Sequence, residues 1–321
     1  RYQTNIYNNA KFTSSQVLNT LEGDIQKMDQ ATLSLLSNLE VLQAIRDLSV
    51  KMADPKKNEL DIIDEKALIR NTIYTAYNLE NFYRVVVYNR YGYIAASSYM
   101  QDRLVDTSVK VFEIPWLAFV QGTKGKNVLI APHADDWAAS ETKRKVYSRV
   151  KEIQGNNLGF IEVQQTEEHL EELLTFPNEA VQGIVLDEKG KVFWASDTLN
   201  SENYEQYFQL EDSVFDKVNE NNGIRELISI DTGKKTGLRL LTVQNWGDAT
   251  ATVSNGLESA LLIGSIFFVF SLGFIIFMAN FLTRPLQELR ENMEKTQLSN
   301  LNDKIEIKSS DADIQALTKA Y

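Results

Sequence analysis

Between Ala260 and Leu282 the chain reads ALLIGSIFFVFSLGFIIFMANFL, 23 residues without a single charge. At 1.5 Å per residue this is a helix of about 34 Å, enough to cross a hydrocarbon layer about 30 Å thick. A buried helix of a water-soluble protein can be apolar all round, but it is usually shorter and lacks so abrupt a change at both ends. The stretch is therefore read as a transmembrane helix, and its flanks set the topology. Arg284, Arg290 and Lys295 follow it; Asp248 and Glu258 precede it, with no Lys or Arg after Arg239. Positive charge stays in the cytoplasm, which puts residues 1–259 outside and 283–321 inside. Export of the N-terminal part requires a signal or a first membrane helix, so a second helix is expected upstream of Arg1.

Composition narrows what the outer part can be. Of 321 residues, 43% are hydrophobic and 24% charged, ordinary values for folded protein and enough for two or three domains. The net charge of −11 argues against nucleic acid or an anionic lipid surface as partner. The chain has no cysteine, which excludes a disulfide scaffold, a thiolate metal site and a cysteine nucleophile together. It is long enough to be held by a hydrophobic core instead.

Residues 1–50 read as one long helix. Leu18, Leu21, Ile25, Met28, Leu35, Leu39 and Leu42 follow three- and four-residue steps, a heptad seam that offers a contact to a second copy, while Leu33, Leu36 and Val41 widen the stripe, so part of the helix is expected to pack on a globular body. Asp54-Pro55 ends it. A second helix is expected over residues 64–78. FYRVVVYNRYGYIAASS, from Phe82 to Ser98, then reads as two strands around a turn at Asn89–Gly92. A short helix at 116–120 comes next. Strands are expected at 127–131, 145–153 and 158–164, followed by a helix over 166–174 that ends at Phe176-Pro177.

The pattern then restarts. GIVLDEKGKVFWAS, from Gly183 to Ser196, aligns with the earlier hairpin: Asn89 with Asp187, Gly92 with Gly190, Ser98 with Ser196. This is read as an internal structural repeat. A helix over 204–210 follows, then strands at 224–230 and 238–244 joined by the loop Asp231–Gly237. A last helix runs from Asp248 into the apolar stretch. The reading is an α+β chain with these parts: a signalling helix (1–50), two units (51–175 and 176–248), a linker helix (249–259), the membrane helix (260–282) and a cytoplasmic segment (283–321).

Two hairpin-centred α/β units in tandem on one long helix resemble a double Cache (dCache) sensor. The resemblance implies two PAS-like antiparallel sheets, with a ligand held in the membrane-distal unit. After the membrane, Arg284-Pro285-Leu286 opens a helical pattern through Leu289 and Met293. A polar connector with Leu301, Ile305 and Ile307 follows, and the pattern restarts at Ile314 and Leu317. This resembles a HAMP domain, with Ser299-Asn300 where the family usually has a glycine and Ala312-Asp313 where it has Asp-Glu. HAMP helices form a four-helix bundle from two chains, so the resemblance implies a homodimer. The whole plan resembles YesM-like bacterial sensor histidine kinases, whose output would be a downstream response regulator reached through a kinase not contained in these residues. A chemoreceptor ectodomain or an anchored extracellular binding or adhesion protein could share this front end.

No catalytic constellation is present. Asp231-Thr232-Gly233 lacks a second carboxylate in a closed cleft and is followed by Lys234-Lys235 in a hairpin turn. Gly122 to Lys126 lacks P-loop spacing. His169 in TEEHLEEL reads as a solvent-facing helix residue. His133 in APHADDW, near Asp135 and Asp136, has possible metal-ligand chemistry, but a single local cluster is read as a turn, and no metal or cofactor is expected. Trp116, His133, Asp135, Trp137, Tyr147 and Arg149 are the side chains a small polar ligand needs: aromatic area, with Asp and Arg to fix orientation. These six are the candidate binding residues, for a small molecule that could be a carbohydrate. The Tyr and Arg followed by Trp-Tyr, which marks amino-acid binding in part of the dCache family, is not found before Trp116.

Overall fold

A computed structural model describes residues 2–76, 81–97, 104–140, 143–155, 157–220, 222–284, 286–288 and 290–291. The chain divides into two compact units, Arg1–Thr250 and Ala251–Tyr321.

The first unit is built on α1 (Tyr2–Ser37). Its three- and four-residue apolar spacing marks the face it buries. Leu21, Ile25, Met28 and Leu35 are fully buried in a core shared with Val85 and Val163 of one sheet and Val185 and Leu240 of another. Each such side chain contributes about 1.5–3 kcal/mol by leaving water. The expected packing on a globular body is therefore what the period reports: the seam residues from Leu18 to Leu35 are buried against two sheets of the same chain and are not offered to a second copy. The expected single helix over 1–50 also breaks. Asn38 leaves the helix and caps α2 (Leu39–Lys51), its side chain accepting from the backbone N–H of Glu40 and Val41. The break resets the phase, so Leu39 is 80% exposed despite its place in the heptad. Asn58 caps a 3₁₀ turn, Glu59–Ile62, which leads into α3 (Ile63–Ala76).

The first sheet has β1 (Arg84–Asn89), β2 (Gly92–Ala96), β3 (Asn127–Ala134), β4 (Lys145–Ile153) and β5 (Gly159–Thr166), all antiparallel, in the order β2-β1-β5-β4-β3. The hairpin turn falls at Asn89–Gly92 as its sequence predicts. A 3₁₀ turn (Val111–Glu113) and α4 (Leu117–Val120) precede β3, and α5 (Glu167–Leu173), capped by Thr166, follows β5. The second sheet has β6 (Val181–Leu186), β7 (Val192–Ala195), β8 (Ser213–Val218), β9 (Arg225–Thr232) and β10 (Arg239–Asn245). Its order, β7-β6-β10-β9-β8, repeats that of the first, so the aligned hairpins are equivalent β1–β2 and β6–β7 pairs.

Two local expectations differ. The helix over 204–210 is a 3₁₀ segment, Ser201–Tyr207, capped by Asn200. SVFDKV, unassigned in the sequence reading, is the short edge strand β8, half-buried along its length without alternation.

Each sheet has an inner face on α1 and an outer face with its own apolar cluster. The first outer cluster includes Val86, Tyr88, Trp116, Trp137 and Phe160; the second includes Ile184, Tyr204, Tyr207, Ile228 and Leu241. α1 is also tied down by polar contacts. Glu22, 2% exposed, accepts from the backbone N–H of Lys235 and Thr236 and from the Thr236 hydroxyl, all at 2.8–2.9 Å. Ser15 donates to Asp231, which places the Asp-Thr-Gly run in the β9–β10 hairpin against α1.

α6 (Trp246–Met278) runs through the apolar stretch and continues as a π-helical turn, Ala279–Thr283. Among the described residues Ser259–Glu288 is the one helix long and apolar enough to cross a membrane. Arg284, Leu286 and Arg290 are helical. Pro285, Leu289, Met293 and residues 294–321, which carry the rest of the HAMP-like pattern, lie outside the described residues.

Candidate ligand-binding site

Strand alternation sorts the polar residues of the first sheet. Arg84 and Tyr88 of β1, Ser148 of β4, and Glu162 and Gln164 of β5 all point to the outer face, and all are fully buried there. Asp135 and Trp137, in the turn after β3, close over them and are also fully buried.

Arg84 Nη1 bonds Asp135 Oδ2 at 2.5 Å and Gln164 Oε1 at 3.0 Å. Asp135 Oδ1 accepts from the Trp137 backbone N–H at 3.0 Å and from Gln164 Nε2 at 3.2 Å. Gln164 Nε2 also donates to Glu162 Oε1 at 3.0 Å, so one amide joins two buried carboxyl groups. Glu162 further accepts from Trp137 Nε1 at 2.9 Å and the Ser148 hydroxyl at 2.8 Å. Burial pushes the Glu162 pKa above its usual value; His133, Trp137 and Ser148 oppose this, and Asp135 adds to it. The Tyr88 hydroxyl is pushed well up by burial and by the charges of Glu162 and Asp136.

A second, shallower shell lies beside this network. Trp116, at the N-terminal end of α4, donates Nε1 to Asp136 Oδ2 at 2.9 Å. The His133 ring meets Trp116 edge-on at 5.6 Å. Its Nδ1 bonds the Ala131 carbonyl at 2.9 Å, and its Nε2 stands 3.7 Å from Asp136 Oδ2 without a hydrogen bond. An irregularity in the β3–β4 register between Ile130 and His133 places the histidine here. Around these groups stand Tyr88, Tyr93 and Trp137, with ring centroids 4.8 Å (Tyr88–Trp137) and 6.4 Å (Tyr93–Trp137) apart.

The structure thus gathers four of the six candidate residues, Trp116, His133, Asp135 and Trp137, on one face. It places Tyr147 and Arg149 on the other. They are odd-numbered positions of β4, whose even positions Ser148 and Val150 face the outer cluster. Tyr147 donates its hydroxyl to Asp24 at 2.8 Å, and Arg149 holds Asp29 through Nε at 2.6 Å and Nη2 at 3.1 Å, so both grip α1. His169 joins them: its Nε2 is 3.3 Å from Asp24 Oδ1, where a solvent-facing residue was expected. Among the described residues no group of three or more His, Asp or Glu side chains is placed to hold a metal ion.

Sequence reasoning missed Arg84, Glu162 and Gln164. Their signal was present: polar residues at even spacing inside otherwise apolar strands, FYRVVVY and GFIEVQQ. A strand buried on both faces reads as continuously apolar, so such interruptions mark groups that must find buried partners.

No protein-family model matches the chain, and no curated protein matches it. Solved structures do. The ligand-binding domain of the Campylobacter jejuni chemoreceptor Tlp3, in complex with L-norvaline, superposes with a TM-score of 0.54 at 16% identity, covering 77% of this chain and 93% of that one. The same domain with 4-methylisoleucine gives 0.51 at 15% identity, with the same coverage. The ligand-binding domain of the Pseudomonas fluorescens chemoreceptor CtaA, with L-isoleucine, gives 0.50 at 10% identity, covering 78% of this chain and 96% of that one. The chain shares the dCache-type fold of these sensory domains.

Proposed function

We propose that the chain is the sensing and membrane-crossing part of a bacterial receptor, and that the outer face of its first sheet binds a small polar molecule through a protonated amine. The observation that carries this is the balance of charge in the site. Two fully buried carboxyl groups, Asp135 and Glu162, and a third beside them, Asp136, stand with one buried arginine, Arg84, among the described residues, and with His133 at the edge. Tyr88, Tyr93, Trp116 and Trp137 pack around the same groups. Carboxylate with aromatic faces is the chemistry that recognises an ammonium group. The shared fold with domains described in complex with amino acids supports this reading. It also revises the sequence reading, which did not support an amino acid because a Tyr and an Arg followed closely by Trp-Tyr are not found before Trp116. Here β1 brings an Arg into the site from 32 positions earlier in the chain (116 − 84).

In this proposal residues 1–259 are extracellular, the helix over 260–282 crosses the membrane, and 283–321 begin a cytoplasmic HAMP bundle in a homodimer. A histidine kinase is the output proposed first; a chemoreceptor output is the alternative, and the amino-acid complexes of the similar chemoreceptor domains favour it. The test is calorimetry on the full chain in nanodiscs against amino acids, simple amines, sugars and carboxylates. An amine-bearing hit lost in Trp116→Ala and Glu162→Gln is expected. A sugar or carboxylate hit with no amine requirement overturns the amine assignment, and the absence of any hit overturns the sensor reading of this face.

A further inference from the structure

The second sheet presents an ion pair that does not close. Lys217 on β8 and Glu226 on β9 are direct cross-strand partners, and both point to the outer face. At such a position Cβ atoms lie about 4.5–5.5 Å apart, and opposite charges normally meet. Here they do not. Glu226, 8% exposed, accepts from the Tyr204 hydroxyl at 3.1 and 3.2 Å and from Asn219 Nδ2 at 2.9 Å. Among the described residues no basic group pairs with it. Lys217 instead lies over the Tyr207 ring, 5.6 Å from its centroid, with Nζ 3.8 Å from the exposed Glu220. Between them is a cavity of about 90 Å³, lined by Tyr204, Tyr207, Lys217, Asn219, Glu226 and Ile228 among others.

A buried carboxylate held only by neutral donors lacks the counter-charge that burial demands. The Tyr204 hydroxyl is pushed up to about 12 by burial and by the Glu226 charge, so it remains a donor to that charge. The cavity offers the missing partner room equal to about three water molecules. Its place repeats that of the first sheet's site: outer face, under a short helical segment, beside aromatic rings.

We propose that this cavity is a second, separate site for a small zwitterion of two or three carbons, its ammonium on Glu226 and its carboxylate toward Lys217. The proposal stands on the second sheet alone and does not depend on what the first sheet binds.

Glycine is the probe, titrated calorimetrically into the full chain in nanodiscs, in a Glu162→Gln background that silences the first site. Glycine is expected to bind, with methylammonium chloride and sodium acetate each at least tenfold weaker because each meets only one charge. Glu226→Gln keeps size and hydrogen bonds and should weaken glycine at least tenfold. Lys217→Met, at a half-exposed edge position that leaves folding intact, should weaken it at least fivefold. The proposal is overturned by no glycine binding at 10 mM, by binding insensitive to Glu226→Gln or to Lys217→Met, or by acetate or methylammonium binding as tightly as glycine.

Discussion

Asp135→Asn tests the network under the first site most sharply. Arg84 and Asp135 are both 0% exposed, with Nη1 and Oδ2 at 2.5 Å. The substitution keeps the shape of the side chain and removes its charge. Arg84 then loses the charge of its Asp135 partner, and the new amide directs N–H groups toward donors such as the Trp137 backbone N–H, now 3.0 Å from Oδ1. Breaking a buried pair from one side costs about 3–5 kcal/mol. For a unit of roughly 250 residues this lowers Tm by about 6–20 °C, at 2–4 °C per kcal/mol. Arg84→Met should cost a similar amount for the mirror-image reason. The double variant Arg84→Met/Asp135→Asn buries no charge from this pair and should recover most of the loss. With the single costs summing to at least about 6 kcal/mol and the double variant below either single, the expected coupling energy exceeds about 3 kcal/mol, beyond the usual range for residues in contact. The assay is urea unfolding of the full chain in nanodiscs, followed by near-ultraviolet circular dichroism, to which Trp137 beside the pair contributes. A cost below about 1 kcal/mol for Asp135→Asn, or additive single effects, would refute a desolvated pair as the keystone of this face.

Three further outcomes follow from single contacts. Gly159 has φ +137°, and a Cβ there would stand 2.3 Å from the Tyr88 carbonyl oxygen; Gly159→Ala should separate β1 from β5 and cost more than the about 1 kcal/mol usual for a substitution, read by thermal unfolding. Glu22→Ala leaves three donors of the β9–β10 hairpin without their acceptor and should cost about 1.5–3 kcal/mol, with faster amide exchange at Lys235 and Thr236 as the local readout. The hydrogen bond to Asp24 raises the His169 pKa; partial burial opposes this, and the charges of Asp24 and Glu172 add to it. A raised folded-state value means the stabilisation is complete below the unfolded pKa of about 6.5 and is lost as pH rises through the folded value. Because the imidazole is a third exposed, the effect should stay under about 1 kcal/mol, and Asp24→Asn should flatten it in a Tm series from about pH 5.5 to 8.5.

The fold was legible in the sequence where local chemistry decides it. The turn at Asn89–Gly92 and its counterpart at Asp187–Gly190 read directly as hairpins, and their alignment announced a structural repeat, whose shared strand order came from the structure. β8 was not legible, because a short, half-exposed edge strand carries little hydrophobic alternation. The α1 seam was legible as a period and only partly as a destination: the widened stripe implied a globular body, but three- and four-residue spacing looks the same whether the buried face meets a second helix or two sheets. The site was half legible for a related reason. Trp116, His133, Asp135 and Trp137 lie close in the chain and could be grouped by eye. Arg84 and Glu162 come from β1 and β5, and only the strand order β1-β5-β4 brings them together. Tyr147 and Arg149 were grouped with the others by proximity in sequence, where the period of two sends them through the sheet.

That misplacement exposes how the outer network of the first sheet reaches α1. In β4, successive side chains must point to opposite faces. Ser148 holds Glu162 in the outer network, while its neighbours Tyr147 and Arg149 hold Asp24 and Asp29 of α1. The two networks are therefore one residue apart on the same strand, through a sheet too closely packed to absorb a shift in soft side chains. A group entering the outer face and drawing on Glu162 would act on β4 through Ser148, and one drawing on Asp135 would act through Gln164 of β5, the cross-strand partner of Ser148. Any resulting tilt of β4 would be delivered to α1 through a bidentate guanidinium and a buried phenol. Those contacts resist displacement better than apolar packing, which allows sliding. The second sheet has its own grip on the same helix, where Glu22 clamps the β9–β10 hairpin and Ser15 meets Asp231. Asp24 and Asp29 lie two and seven residues beyond Glu22 on α1. A movement of β4 would thus load the stretch of helix between the two grips, roughly two turns long at 3.6 residues per turn. Over such a span a helix is stiff, so the load would pass to the second sheet as a shift of α1 as a whole.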